Sequence, residues 1–302
     1  MIPLHIITGF LGSGKTTILN SILYQLKDFD NIVIENEFGK VNIDSSLIQT
    51  QYNQVIELTN GCICCSLDNE LWDILFKILK QESRPNHVFI ETSGIADPLT
   101  VIDLISNPKL KVHFNLKHII TIVDAENYTE RAKQAVEFGK QIACATTIII
   151  NKVHQFNDET LTNLNVFLAK VNPFAKILIA KEGKIKWADV EIEHSEFKLP
   201  IVHAKQHTPG LNNVSIKLDP NIPLEKIVTV LKKILQLYSN QVFRIKGIVK
   251  DLNGRCFSIN STGLYIVSEE IHLNSLVEEN QLVFIGLSLK QESMLRFFNG
   301  VK

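Results

Sequence analysis

Gly9-Phe10-Leu11-Gly12-Ser13-Gly14-Lys15-Thr16 stands between an apolar run, Leu4–Thr8, and a stretch with apolar residues at helical spacing, Thr16–Leu26. The glycines let the backbone curl so that successive N–H groups point inward. A strand that feeds such a curl and a helix that leaves it make a cradle for phosphate, with the helix N-terminus adding partial positive charge. In that cradle Gly9, Gly12, Ser13 and Gly14 shape the loop and Thr17 closes it. Lys15 reaches the β and γ phosphates, and Thr16 offers its hydroxyl to Mg²⁺.

The same strand-then-helix rhythm continues. Apolar runs predict further strands over Asn31–Glu35, Gln54–Leu58, His87–Glu91, His118–Val123, Thr147–Ile150 and Lys176–Ile179, with helices over Asp68–Leu79, Glu130–Ile142 and Glu159–Leu168. Continuously apolar strands imply burial on both faces, hence a parallel sheet flanked by helices. The expected fold is α/β, a P-loop NTPase sheet over residues 1–182, with a smaller C-terminal α+β domain over 207–302. The rhythm breaks between them, at Gly183, Pro200 and mixed charge, so 183–206 reads as a linker. Beyond it, strands are expected at Val214–Leu218, Val242–Val249, Arg255–Asn260 and Gln281–Ile285, and helices at Pro223–Leu237 and Lys290–Phe298.

Composition narrows the function. Of 302 residues, 31 are Lys or Arg and 32 are Asp or Glu, so nothing in the overall charge draws the chain to nucleic acid or to an anionic membrane. No apolar run approaches the ~20 residues of a membrane span. The N-terminus lacks the basic start and cleavage site of a signal peptide. Five cysteines, an odd number, argue against a disulfide framework and for a reducing cytoplasm.

Other residues extend the site. Glu91 ends an apolar strand, where a parallel sheet forms its ligand crevice. There it can hold the water shell of Mg²⁺ or orient the attacking water, and Gly94 can give an N–H to the γ-phosphate. Asp124 ends another strand in the same way. The polar stretch Asn36–Asp44 suits a switch loop, with Asp44 acting on metal or water. Cys62, Cys64 and Cys65 fall within four positions, and three thiolates can share one soft ion such as Zn²⁺. A tetrahedral shell needs a fourth ligand, which Glu37, a histidine, water or a client protein can supply. An incomplete shell suits transfer better than storage. Cys144 and Cys256 stand alone in apolar surroundings and read as core.

These residues resemble the CobW-type GTPases linked to metal insertion, relatives of the nickel-insertion GTPases for urease and hydrogenase. The likeness rests on Gly9–Thr17, Asn36-Glu37-Phe38-Gly39 with Asp44, Gly61-Cys62-Ile63-Cys64-Cys65, Glu91-Thr92-Ser93-Gly94, Asn172-Pro173, Arg244-Ile245-Lys246-Gly247 and Phe284-Ile285-Gly286. It implies a GTPase with GTP/GDP, Mg²⁺ and Zn²⁺ or a similar divalent ion as ligands, and a client metalloprotein as partner. Lys15, Glu91 and Asp44 would be catalytic, with Glu37 the fourth zinc ligand. A homo-oligomer is compatible with it. One departure matters. The family's guanine reader is Asn-Lys-x-Asp, and here Asn151 and Lys152 match but His154 replaces the acid. Neutral histidine accepts one hydrogen bond where a carboxylate accepts two, so a relaxed base preference is expected, which His154→Asp would sharpen. Other readings of the same residues are a nucleotide-dependent small-molecule kinase and a non-catalytic metal sensor.

Overall fold

The computed structural model describes residues 1–35, 53–57, 67–94, 96–128, 136–153, 156, 158–191, 210–271 and 280–301. The chain divides into two compact units, Met1–Val166 with Phe174–Ser195 and Phe167–Pro173 with Glu196–Lys302.

The first unit is built on seven strands: β1 (Ile2–Gly9), β2 (Asn31–Glu35), β3 (Asn53–Glu57), β4 (His87–Glu91), β5 (Phe114–Asp124), β6 (Thr147–Asn151) and β7 (Lys176–Ile179). They pair in parallel in the order β3-β2-β4-β1-β5-β6-β7. Helices α1 (Lys15–Gln25), α2 (Leu67–Leu79), α3 (Pro98–Ile105), α4 (Pro108–Lys111), α5 (Val136–Cys144), α6 (Asp158–Val171) and α7 (Trp187–Glu191) connect or follow the strands. Every residue of β2 and β6 is buried, as two-sided coverage requires. Ile18, Leu19, Ile22 and Leu23 of α1 pack with Ile7, Phe89, Ile120 and Ile149 of the sheet. Chain connections leave β1 at the point where strand order reverses, so its C-terminal end opens into the crevice where such sheets bind ligands.

The second unit is an antiparallel sheet of β8 (Leu211–Leu218), β9 (Val242–Lys250), β10 (Cys256–Thr262), β11 (Tyr265–Ile271) and β12 (Asn280–Leu287), ordered β11-β10-β9-β12-β8. Helix α8 (Leu224–Leu237) packs Ile227, Leu231, Ile234 and Leu235 against Ile216, Ile245, Leu282 and Phe284. A short α9 (Gln291–Arg296) adds Met294 to this core.

The expected strands recur within a few residues of their sequence bounds. Of the helix expected over Glu130–Ile142, the described part is Val136–Cys144. Four elements are not expected from the sequence, among them the short helix α4, which starts at an Asn107 cap followed by Pro108. Helix α3 starts at an Asp97 cap followed by Pro98. Strand β11 forms the sheet edge. Helix α7 occupies the start of the expected linker because Trp187 is buried beneath the first sheet's core.

Trp187 covers a cluster of ring side chains. His5 Nε2 and His87 Nδ1 lie 3.1 Å apart. The His5 and His118 rings stack at 5.3 Å, and the Trp187 edge meets His5 at 5.2 Å. Burial, with the neighbouring His118, His87 and Lys117, holds the His5 imidazole well below its usual pKa. The unfolded chain therefore binds the proton that folded His5 refuses. Stability is full above the unfolded imidazole value, about pH 6.5, and is lost as pH falls below it, by up to about 1.4 kcal/mol per pH unit for one group. Thermal unfolding midpoints should fall between about pH 7.5 and about pH 5.5. His5→Phe, which keeps a stacked ring without a titrating nitrogen, should flatten that slope. An equal slope in both proteins would remove His5 as its source.

Candidate nucleotide and metal site

The loop after β1 is a cradle that side chains would fill. Gly14, the N-cap of α1, has φ 93°, and a Cβ there would stand 2.4 Å from Asn151 Nδ2. At Gly9, φ 140°, a Cβ would stand 2.3 Å from the Ile122 carbonyl oxygen. Both conformations and both approaches require glycine. Gly12 also has a positive φ, 72°. Asn151 Nδ2 donates to the Ser13 carbonyl at 2.9 Å, so the end of β6 braces the loop from beside it. Ser13 Oγ is buried and has no hydrogen-bond partner among the described residues. Lys15 is almost buried, with Nζ donating to the Phe10 carbonyl at 3.3 Å, folded back along the loop.

Strand β4 supplies the second wall. Its register with β1 pairs Ile7 with Glu91. Thr16 Oγ1 donates to Glu91 Oε1 at 2.8 Å, which places a hydroxyl and a buried carboxylate together at the start of α1. Thr92 and Thr8 join β4 to β1 through a buried hydroxyl bond of 2.9 Å. A Cβ on Gly94 would lie 2.3 Å from the Leu11 nitrogen, so this backbone runs directly against the phosphate loop. Gln141 of α5 donates to the Gly94 and Ala96 carbonyls at 3.3 Å each. Oxygen donors of this kind, beside a helix N-terminus, fit a hard cation such as Mg²⁺ bound together with phosphate.

Beyond the loop, β5 and β6 end side by side, with Asp124 paired to Asn151. Lys152 has a left-handed backbone, φ 59°, and its ammonium meets Asp124 Oδ2 at 2.9 Å. Asp124 also accepts from the Asn127 side chain and the Glu126 N–H. Burial pushes the Asp124 carboxyl up, but these hydrogen bonds and the Lys152 charge outweigh it and hold its pKa below the usual carboxylate value. Asp124 thus fixes Lys152. The sequence does not show the roles of Asn151 as a brace and of Asp124 as the partner of Lys152; its one signal is an acid ending an apolar strand, as at Glu91.

Strands β2 and β3 end on the same edge. Register pairs Glu35 with both Glu91 and Glu57. The segment with Glu37 and Asp44 follows β2, and the segment with Cys62, Cys64 and Cys65 follows β3; these five residues, and His154, lie outside the described residues. Among the described residues no group of three or more His, Cys, Asp or Glu could hold a metal ion. Among them also, no helix is long and apolar enough to cross a membrane.

A glycine cradle between a central parallel strand and a helix, walled by the acid-bearing end of the next strand, defines a P-loop nucleotide-binding protein. The family model described as CobW/HypB/UreG, nucleotide-binding domain, matches residues 3–179, and the chain belongs to this family of P-loop GTPases. It is 28% identical to the zinc chaperone YjiA of Escherichia coli over 318 aligned positions, covering 100% of this chain and 99% of that protein. It is 32% identical over 192 residues to the zinc-regulated GTPase metalloprotein activator 1 of Schizosaccharomyces pombe, covering 61% of this chain and 47% of that protein. A crystal structure of zinc-bound YjiA GTPase from E. coli shares the fold, with a TM-score of 0.73 and 24% identity, over 100% of this chain and 99% of that one.

Proposed function

We propose that this chain is a cytoplasmic GTP-hydrolysing metallochaperone that holds Zn²⁺, or a similar divalent ion, as cargo and passes it to a client metalloprotein. The observation that carries the reading is the Thr16–Glu91 contact beside the phosphate loop, on the edge from which β2 and β3 also hand on their segments. Chain length limits how far the metal-binding residues can lie from these strand ends. Glu37 stands two residues beyond Glu35, a reach of at most about 7 Å, and Cys62 stands five beyond Glu57, at most about 18 Å. Three thiolates and a carboxylate meet the four-ligand demand of Zn²⁺. The relatives named above, a zinc chaperone and a zinc-regulated GTPase metalloprotein activator, support a role in zinc handling.

Hydrolysis here is positioning plus charge stabilisation. Loop amides from Gly9 to Thr17 grip the phosphate oxygens. Lys15 leaves the Phe10 carbonyl and neutralises charge on the β and γ oxygens. The Gly94 N–H donates to the γ-phosphate. Glu91 and Asp44 orient the attacking water, whose oxygen bonds to the γ-phosphorus as the bond to the β–γ bridging oxygen breaks, leaving GDP and phosphate. The Thr16 hydroxyl would hold Mg²⁺ and Glu91 would hold its bound water, and the ion would supply further charge neutralisation. Asn151 and Lys152 flank the base.

The test is phosphate release by the full chain from GTP with Mg²⁺, without any acceptor, with and without Zn²⁺. Release at a rate that changes with Zn²⁺ is expected. No release until a small-molecule acceptor is added would identify a kinase. Bound nucleotide without turnover would identify a sensor.

A further inference from the structure

The sequence lacks the acid by which the family reads guanine, yet a carboxylate follows the strand that is paired with β6. Strand β7 runs beside β6, with Ile179 paired to Ile150, and the Ala180 N–H donates to the Ile150 carbonyl at 2.8 Å. The chain therefore leaves β7 next to Asn151 and Lys152. It then makes a tight two-residue turn, in which Lys181 and Lys184 exchange backbone hydrogen bonds of 3.0 and 2.9 Å. The two residues at its tip, Glu182 and Gly183, have φ 50° and 70°. Such turns favour asparagine or glycine at both positions, and glutamate is a costly choice at the first. A residue kept in an unfavourable backbone conformation points to a use for its side chain.

The turn is fastened to the phosphate-loop helix. A Cβ on Gly183 would stand 2.8 Å from Thr17 Cγ2. Gln25, at the other end of α1, donates to the Ile185 carbonyl at 2.8 Å and accepts from the Trp187 N–H at 2.9 Å. Thr17 adjoins Thr16, so a nucleotide with its phosphates in the cradle and its base beside Asn151 and Lys152 extends past this turn. Glu182 is solvent-exposed and open to a ligand there.

We propose that Glu182 reads the guanine edge in place of the acid that His154 displaces. This rests on the nucleotide-hydrolysing function proposed above. A carboxylate accepts from guanine N1–H and from its exocyclic amino group together. Adenine presents a lone pair at N1, which the same carboxylate repels. Base selectivity is then retained, and the relaxed preference expected from His154 alone does not arise.

The experiment is titration of the full chain with GDP, ADP and xanthosine diphosphate, for the unmodified protein and for Glu182→Gln. Glutamine keeps the backbone and length. Its carbonyl accepts from N1–H of xanthine and its amide donates to the xanthine 2-oxygen, which the carboxylate repels. The unmodified protein should prefer GDP to ADP. Glu182→Gln should weaken GDP by about tenfold to a hundredfold, leave ADP little changed and strengthen xanthosine diphosphate. No preference for GDP over ADP in the unmodified protein overturns the proposal, as does an unchanged GDP-to-ADP ratio in the variant. An equal loss for all three nucleotides marks a structural turn residue and overturns it too. If the unmodified protein binds none of the three, the nucleotide function itself falls, and this reading with it.

Discussion

Lys15→Ala should lower GTP hydrolysis by roughly a hundredfold to a thousandfold, the usual loss when one preorganised donor is removed from a charge-developing centre. The position of Lys15 sets this expectation. It is the cation at the start of α1, nearly buried and bonded within its own loop to the Phe10 carbonyl. Its removal leaves the glycine curl, the Asn151 brace and the Thr16–Glu91 contact in place, because none of them passes through Nζ. Folding should therefore be preserved while catalysis fails. Phosphate release under saturating GTP checks the first expectation, and the thermal midpoint checks the second. A wild-type rate in this variant would mean that the glycine loop is not the hydrolytic centre.

What could be read from the sequence follows from the range of the interactions involved. The loop and α1 were legible because a strand, three glycines, Lys15 and Thr16 are contiguous, and each local preference agrees with the next. The parallel strands were legible because burial on both faces writes a continuous apolar run, as in Thr147–Asn151. Strand β11 was not, because an edge strand has one paired side, and its Glu269 and Glu270 are exposed where a core strand would be apolar. Helix α7 was hidden in a stretch of mixed charge; only the pocket of His5, His118 and Phe89, far away in sequence, shows why Trp187 is buried. Bracing of the loop by Asn151 was illegible for the same reason. It joins residues 138 positions apart. The turn at Glu182 and Gly183 falls on the boundary between the expected domain and the linker, and the approach of Gly183 to Thr17 gives it meaning.

The largest effect on metal is expected from replacing Cys62, Cys64 and Cys65 together by alanine, which should leave one zinc fewer per chain. Thiolate zinc sites hold the ion by about 10–16 kcal/mol at neutral pH, so losing all three sulfurs removes more affinity than any other single site can restore. Thiols deprotonate when they ligate, so zinc uptake by the unmodified protein should release protons and weaken as pH falls; both effects should vanish in the variant. Cys64 and Cys65 should matter as a pair, since adjacent sulfurs share one ion, and single replacements should cost less than half of the triple effect each. Transfer asks for more than binding. The segments bearing Glu37 and the cysteines follow β2 and β3, whose ends lie in register with Glu91, so a metal bound there would have a short path to a change at the γ-phosphate. If that path operates, zinc affinity differs between the GTP-analogue and GDP states, and zinc shifts nucleotide affinity by the same factor, as linkage requires. Metal titration in both states, with the triple variant as control, reads both effects. Unchanged zinc content in that variant would remove the cysteine site. Equal affinities in the two states would leave a zinc-binding GTPase in which hydrolysis has no means of releasing its cargo.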